Sequence, residues 1–157
     1  MGYDMKSFFA YETQYTGGEP LMEAVPITPF SERYYSQYER IYNSCFYEMR
    51  KALDVKPYNF YSDIEQIRDK MANLFMLVHN ETIIGSVGCY DTEIDDLIVN
   101  RQFQKQGYGK KLLLWAIHHI RTYTDDPITI HVAEWNQNAI KLYMKNGFVV
   151  TKKEKVN

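Results

Sequence analysis

The chain has 157 residues, 45% of them apolar and 24% charged, enough to form one unit with a sizeable core and no need of disulfides or a structural metal. A formal charge of −2 and an isoelectric point near 6.1 exclude a nucleic-acid binder held by a broadly basic face. Cys45 and Cys89 lack partners at metal-ligand spacing and read as reduced thiols, no apolar run is long enough to span a membrane, and Lys6 stands where a myristoylation motif needs Ser or Thr, so the expected compartment is the cytoplasm.

Residues 6–15 and 20–28 are rich in Phe, Tyr, Thr, Val and Ile, and the turn cluster Thr16-Gly17-Gly18-Glu19-Pro20 between them predicts an N-terminal hairpin. From 31 to 53 the apolar residues Tyr34, Tyr38, Ile41, Tyr42, Cys45, Phe46, Met49 and Leu53 recur at three- and four-residue spacing, which predicts a long amphipathic helix. Of the 14 tyrosines, most of those on this helix recur at core spacing and read as core, with hydroxyls reaching its rim. An aromatic loop, Lys56-Pro57-Tyr58-Asn59-Phe60-Tyr61, interrupts the helix. A capping box from Ser62 to Glu65 then opens a second helix with Ile64, Ile67 and Met71 on one face.

Residues 74–79, 82–90 and 92–99 read as three consecutive strands of an antiparallel meander, the first turn at Asn80-Glu81. In the third strand the alternation breaks at Leu97-Ile98-Val99, which calls for a bulge or burial on both faces. Next comes Gln104-Lys105-Gln106-Gly107-Tyr108-Gly109-Lys110, a glycine loop leading into a helix whose stripe is Leu112, Leu113, Ala116, Ile117 and Ile120. Glycines ahead of a helix let backbone N–H groups approach a ligand, and the helix N-terminus adds about half a positive charge, so this corner suits an anion such as a pyrophosphate. A strand at 128–133, a helix at 136–146 ended by Gly147 and a strand at 148–152 complete a pattern of helices alternating with strands around one mixed sheet.

A Walker loop would need Gly-x-x-x-x-Gly-Lys-[Ser/Thr], and a dinucleotide fingerprint would need a third glycine where Leu112 stands; neither is present. Gln104-x-x-Gly107-x-Gly109, with Val99 before it and Leu112-Leu113 after it, resembles the central signature of the GNAT superfamily of acetyl-CoA-dependent N-acyltransferases. Asn136-x-x-Ala139-x-x-Leu142-Tyr143 followed by Gly147-Phe148 resembles its second signature. The likeness covers about residues 72–150. It departs from the family pattern at Arg101, where many members have Pro, and at Lys105, where many have Gly.

The resemblance implies an α+β three-layer fold with a mixed, mostly antiparallel central sheet flanked by helices. It divides a single domain, 1–157, into an acceptor-side region at 1–71 and a CoA-binding core at 72–157. Acetyl-CoA would be the cosubstrate, with no metal. The N–H groups of Lys105, Gln106, Gly107, Tyr108, Gly109 and Lys110 would hold its pyrophosphate, with charge from the Lys110 and Lys111 side chains. Arg101 would either reach the 3′-phosphate or lie solvated. The backbone of Leu97, Ile98 and Val99 would hold the pantetheine arm, with the Leu97 N–H directed at the thioester oxygen.

A lysine-like amine, with a pKa of about 10.4, must lose a proton before attack, and the family's strand-borne base position falls on Glu93. Glu93 also reads as a solvated strand-end carboxylate. Asp95 and Asp96 compete with it, and on a regular strand the two would face opposite sides, leaving one to bind a cationic acceptor. Tyr143 would reprotonate the CoA thiolate or serve as a core tyrosine, and Asn136 would cap its helix or bind pantetheine. Tyr58, Phe60 and Tyr61 resemble the acceptor-side wall. His79, His118, His119 and His131 show no convergent spacing and read as structural or solvated. Two functions remain open: direct acetyl transfer to a small-molecule or peptide amine in a ternary complex, and a non-catalytic acyl-CoA sensor. Neither involves a nucleic-acid or membrane partner, and a homodimer is compatible with both.

Overall fold

A computed structural model describes residues 7–20 and 24–156. Seven strands form one sheet in the order β2-β3-β4-β5-β6-β1-β7. They are β1 (Phe8–Tyr15), β2 (Ile27–Pro29), β3 (Leu74–His79), β4 (Thr82–Tyr90), β5 (Glu93–Val99), β6 (Thr129–Ala133) and β7 (Phe148–Val156). The helices are α1 (Tyr35–Ala52), α2 (Tyr108–Arg121) and α3 (Gln137–Lys145). A 3-10 helix at Ile64–Asn73 precedes β3. The fold is therefore α+β, with a mixed and mostly antiparallel sheet flanked by helices.

The expected meander is present: β3 pairs with β4 and β4 with β5, all antiparallel. The N-terminal hairpin is not. β1 runs antiparallel between β6 and β7, while β2 adds to the far edge against β3. Turn residues between two apolar runs specify a reversal only when those runs gain more by pairing with each other than with other strands. Here the long β7 and β6 claim β1. β7 itself continues to Val156, past the predicted boundary at 152.

Each face of the sheet has its own apolar layer. On one, α2 seats Leu112, Leu113, Ala116, Ile117 and Ile120 against Val87, Ile94 and Ile130, joined by Ile140 and Tyr143 of α3. On the other, Tyr38, Ile41 and Tyr42 of α1 pack with Tyr61, Ile67, Met76, Ile83 and Ile98. The helix stripes read from the sequence are thus the buried ones. The capping box is displaced by one residue: Asp63, not Ser62, is the N-cap, accepting from the Glu65 N–H, and Gln66 closes the box.

One feature of the sheet creates the site. β5 and β6 are parallel, joined through α2, and their register holds a single pair, Glu93 with Thr129. β6 stays paired with β1 from Thr129 to Ala133, but past that vertex no further β5–β6 pair follows among the described residues, leaving the β6-facing edge of β5 without a strand neighbour. A bulge falls on the same stretch of β5. Ser86 opposes Ile98 and Gly88 opposes Asp95, so Asp96 and Leu97 together face Val87. Asp96 takes φ +53°, a left-handed conformation that aspartate tolerates better than most residues.

Candidate functional site

A cleft of about 310 Å³ opens where β5 and β6 part, with α1 and the 56–61 loop on one side and α3 on the other. Glu93, Asp95 and the residues at the bulge therefore belong to its floor or vertex. Because the bulge inserts a residue, Asp95 and Asp96 both line the cleft. This corrects the expectation that adjacent carboxylates must face opposite sides, which holds only for regular strands.

The two aspartates live in different surroundings. Asp96 is 4% exposed, accepts a hydrogen bond from the Tyr90 hydroxyl at 2.6 Å and lies 3.6 Å from Lys70 Nζ. Asp95 is exposed at the cleft mouth and accepts the Asp96 N–H at 2.7 Å; the protein atoms that partly screen its carboxylate from water, together with the Asp96 charge beside it, raise its pKa to about 6. Glu93 stands at the vertex, where its carboxylate lies 3.3 Å from His131 Nδ1.

Tyr143 is 8% exposed and lines the cleft from α3. Burial, with a further contribution from the Asp95 charge, raises its phenol well above the ordinary tyrosine range, so it keeps its proton at neutral pH. Asn136 caps α3, its side chain accepting from the Ala139 N–H at 3.3 Å, and also borders the cleft. Leu97 packs its side chain toward the α2 layer, while Ile98 is buried in the α1 layer.

The glycine loop lies outside the cleft, at the end of β5. Gly107 is the N-cap of α2 with φ +87°, and Lys105 has φ +63°; the helix has no side-chain cap, unlike α3. The first-turn amides of Tyr108, Gly109 and Lys110 have no acceptor within the helix. An exposed N-terminus of this kind, next to Gln104, Lys105 and Gln106, fits a pyrophosphate. The unpaired edge of β5 between it and the vertex fits an extended arm that bonds like a strand. At the near end the Val99 carbonyl already accepts from Gln104 Nε2 at 3.0 Å and Cys45 Sγ at 3.3 Å, which ties the loop to β5 and α1. Arg101 donates to the Ser44 carbonyl at 2.7 Å and lies against α1.

The aromatic loop divides. Phe60 lines the cleft; Tyr61 is 2% exposed beneath it in the α1 layer; Tyr58 points away and donates to Asp54 at 2.7 Å. The α2 histidines diverge, His118 toward Glu19 at 3.0 Å and His119 stacked on Trp115. A wider groove of about 440 Å³ on the other flank of α1, bordered by Gln37, Arg40 and Arg101, holds no carboxylate. The smaller cleft is the one that gathers Asp95, Asp96 and Tyr143.

Sequence reasoning left Arg50, Lys70 and the ring faces of Tyr42 and Phe46 out of the site, although all four line it. The α1 stripe runs 42, 46, 49 and then meets a cation at 50 on the same face, a pattern that a solvated helix rim shows equally well. Among the described residues no cluster of His, Cys, Asp and Glu could hold a metal ion, and no helix is long and apolar enough to cross a membrane.

Residues 35–148 match the model of the acetyltransferase (GNAT) family. The fold is shared with a GNAT-family protein of Novosphingobium aromaticivorans (TM-score 0.71, 12% identity, 96% of this chain and 63% of that one). It is also shared with a Pyrococcus horikoshii protein (0.65, 23% identity, 85% and 99%). A third likeness is to N-acetylglutamate synthase from Neisseria gonorrhoeae, a structure holding coenzyme A and N-acetylglutamate (0.55, 15% identity, 77% and 28%). The chain thus spans less than two thirds of the Novosphingobium and Neisseria proteins.

Proposed function

Because the chain belongs to the GNAT acetyltransferase family, whose members use an acyl-CoA cosubstrate, we propose that it transfers an acetyl group from acetyl-CoA to a primary amine by direct attack in a ternary complex. One observation carries this reading: Asp95, Tyr143 and the bulge residue Leu97 line a single cleft, next to a strand edge of β5 that leads to the uncapped N-terminus of α2.

The cosubstrate supplies an activated thioester, its pyrophosphate held by the 105–110 amides and its pantetheine arm by the backbone of residues 97–99. Leu97 N–H donates to the acetyl oxygen as negative charge develops there. Asp95, ionised above pH about 6, takes the proton of the incoming ammonium. Glu93, with His131 behind it, is the alternative base at the vertex, reached through water. The free amine forms the N–C bond and the C–S bond breaks as Tyr143 donates to the departing sulfur; the second proton released from the nitrogen on amide formation returns to the Tyr143 phenolate, and the proton on Asp95 leaves to solvent. Tyr143 holds its proton tightly by burial and by the Asp95 charge, so protonation of Asp95 by the substrate removes one of the causes holding that proton and makes Tyr143 a better acid when it is needed.

Thiol release with acetyl-CoA and a panel of amines, followed by mass spectrometry of the product, tests the reading. Acetylated amine is the expected product, and acetyl label retained on the protein without acceptor refutes direct transfer. Release that is equal in Tyr143→Phe, Asp95→Asn and wild type would favour a non-catalytic acyl-CoA sensor instead.

A further inference from the structure

Two charges in the cleft make no direct ion pair among the described residues. Asp96 is matched by Lys70, whereas Asp95 makes no ion pair among the described residues. Arg50, on the opposite lip, makes none either. It is nonetheless fixed. Its Nη1 donates to the Pro57 carbonyl at 3.0 Å and its guanidinium lies 4.7 Å from the Phe60 ring centroid, which leaves Nε and Nη2 without an acceptor among the described residues. A guanidinium held this way presents a planar donor edge suited to an oxyanion.

Tyr42 reports the field between the two charges. After burial, which dominates, Asp96 and Asp95 raise its pKa and Arg50 lowers it, so the ring stands between an acidic floor and a cationic lip. Phe46 and Phe60 complete this wall, with Tyr42 4.6 Å from Phe46 and 6.3 Å from Phe60 between ring centroids.

We propose that the acceptor is a small zwitterion whose primary ammonium seats on Asp95 and whose carboxylate seats on Arg50, with its apolar body against Tyr42, Phe46 and Phe60. The cleft of about 310 Å³ must also admit the acyl end of the cosubstrate, which limits the acceptor to about the size of an amino acid. A polyamine would place its second ammonium beside Arg50 or Lys70, where like charge repels it. The transfer step rests on the function proposed above; the binding geometry does not.

Matched sets test it: a free L-amino acid, its amide and its decarboxylated amine, for leucine, phenylalanine, glutamate and lysine, with phosphoethanolamine to separate phosphate from carboxylate recognition. Each is assayed with acetyl-CoA on wild type, Arg50→Gln and Arg50→Lys, and each is titrated calorimetrically into CoA-loaded protein. The best free acid should exceed its amide and amine about tenfold or more in kcat/KM and in affinity. Arg50→Gln should erase that preference through the acceptor KM, and Arg50→Lys should restore part of it. Loss of turnover with every amine would refute acetyl transfer, while the calorimetric order would still decide the zwitterion. Amides or polyamines binding as well as the acids, an acid preference that survives Arg50→Gln, or phosphoethanolamine outranking every acid would overturn the proposal.

Discussion

The two sides of the proposed site differ in which atoms they offer a ligand. Along β5 and on to the glycine loop and the start of α2 beyond the cleft, the groups open to a cosubstrate are backbone amides, set by a bulge, a left-handed Gly107 and a helix end without a side-chain cap. Across from them, α1, the 56–61 loop and Lys70 offer side chains: Tyr42, Phe46, Arg50 and Phe60. Backbone recognition tolerates side-chain change as long as the dihedral angles survive, whereas side-chain recognition is lost or altered with one substitution. The first wall therefore suits a cosubstrate common to a whole family, and the second suits an acceptor particular to this chain.

The largest effects should come where both walls meet the reacting atoms. Asp95→Asn should lower kcat by about 100-fold or more and abolish the acidic limb of the rate profile near pH 6, while leaving CoA affinity nearly intact. The sign follows from the raised pKa: the base works only when ionised, so activity climbs as pH rises through that value. Glu93→Gln should cost less, and the reverse order would move the base to the vertex. The same Asp95 shift has an opposite consequence for stability. A carboxyl whose folded pKa lies above its unfolded value of about 3.9 loses stability as pH rises from there through about 6. Asp95→Asn should therefore stabilise the protein at pH 8 by roughly 1 kcal/mol after allowing for solvent screening of the exposed carboxylate, read as a higher Tm.

Tyr143→Phe should lower kcat by about 10- to 100-fold with little change in either KM, read by thiol release. Asp96→Asn removes the charge that faces Lys70 and accepts from Tyr90, at a cost of about 1–3 kcal/mol in urea unfolding. Gly107→Ala imposes a side chain at φ +87°, where no neighbour lies within 4 Å of the added Cβ. It should cost about 1 kcal/mol by strain and raise the acetyl-CoA KM several-fold. Leu97→Ala should change kcat least, within about threefold, because only its N–H faces the reaction. A large loss there would show that this wall also depends on side chains.

Legibility in the sequence follows the same division. Gln104, Gly107, Gly109, Asn136 and Tyr143 are readable because a glycine loop, a cap and a helix stripe are local patterns, each decided within a few residues. The broken alternation before Val99 likewise announces the bulge, although pairing across the sheet places the extra residue at Asp96-Leu97. Arg50 and Lys70 escaped because a cation on a helix rim looks the same whether it faces water or a cleft. Tyr61 was assigned to the acceptor wall and lies beneath it, since an aromatic run does not reveal which ring turns inward.

By itself, the sequence determined the helix stripes, the β3–β5 meander and the glycine turn ahead of α2, because periodicity and glycine conformation act over one or two turns of chain. Tertiary structure alone decided that β1 joins β6 and β7 instead of forming a hairpin, and that β5 and β6 part after a single pair. Strand partners are chosen by competition among distant segments. It likewise decided that both aspartates share one cleft with an unpaired arginine, since an inserted residue reverses the facing of every residue beyond it.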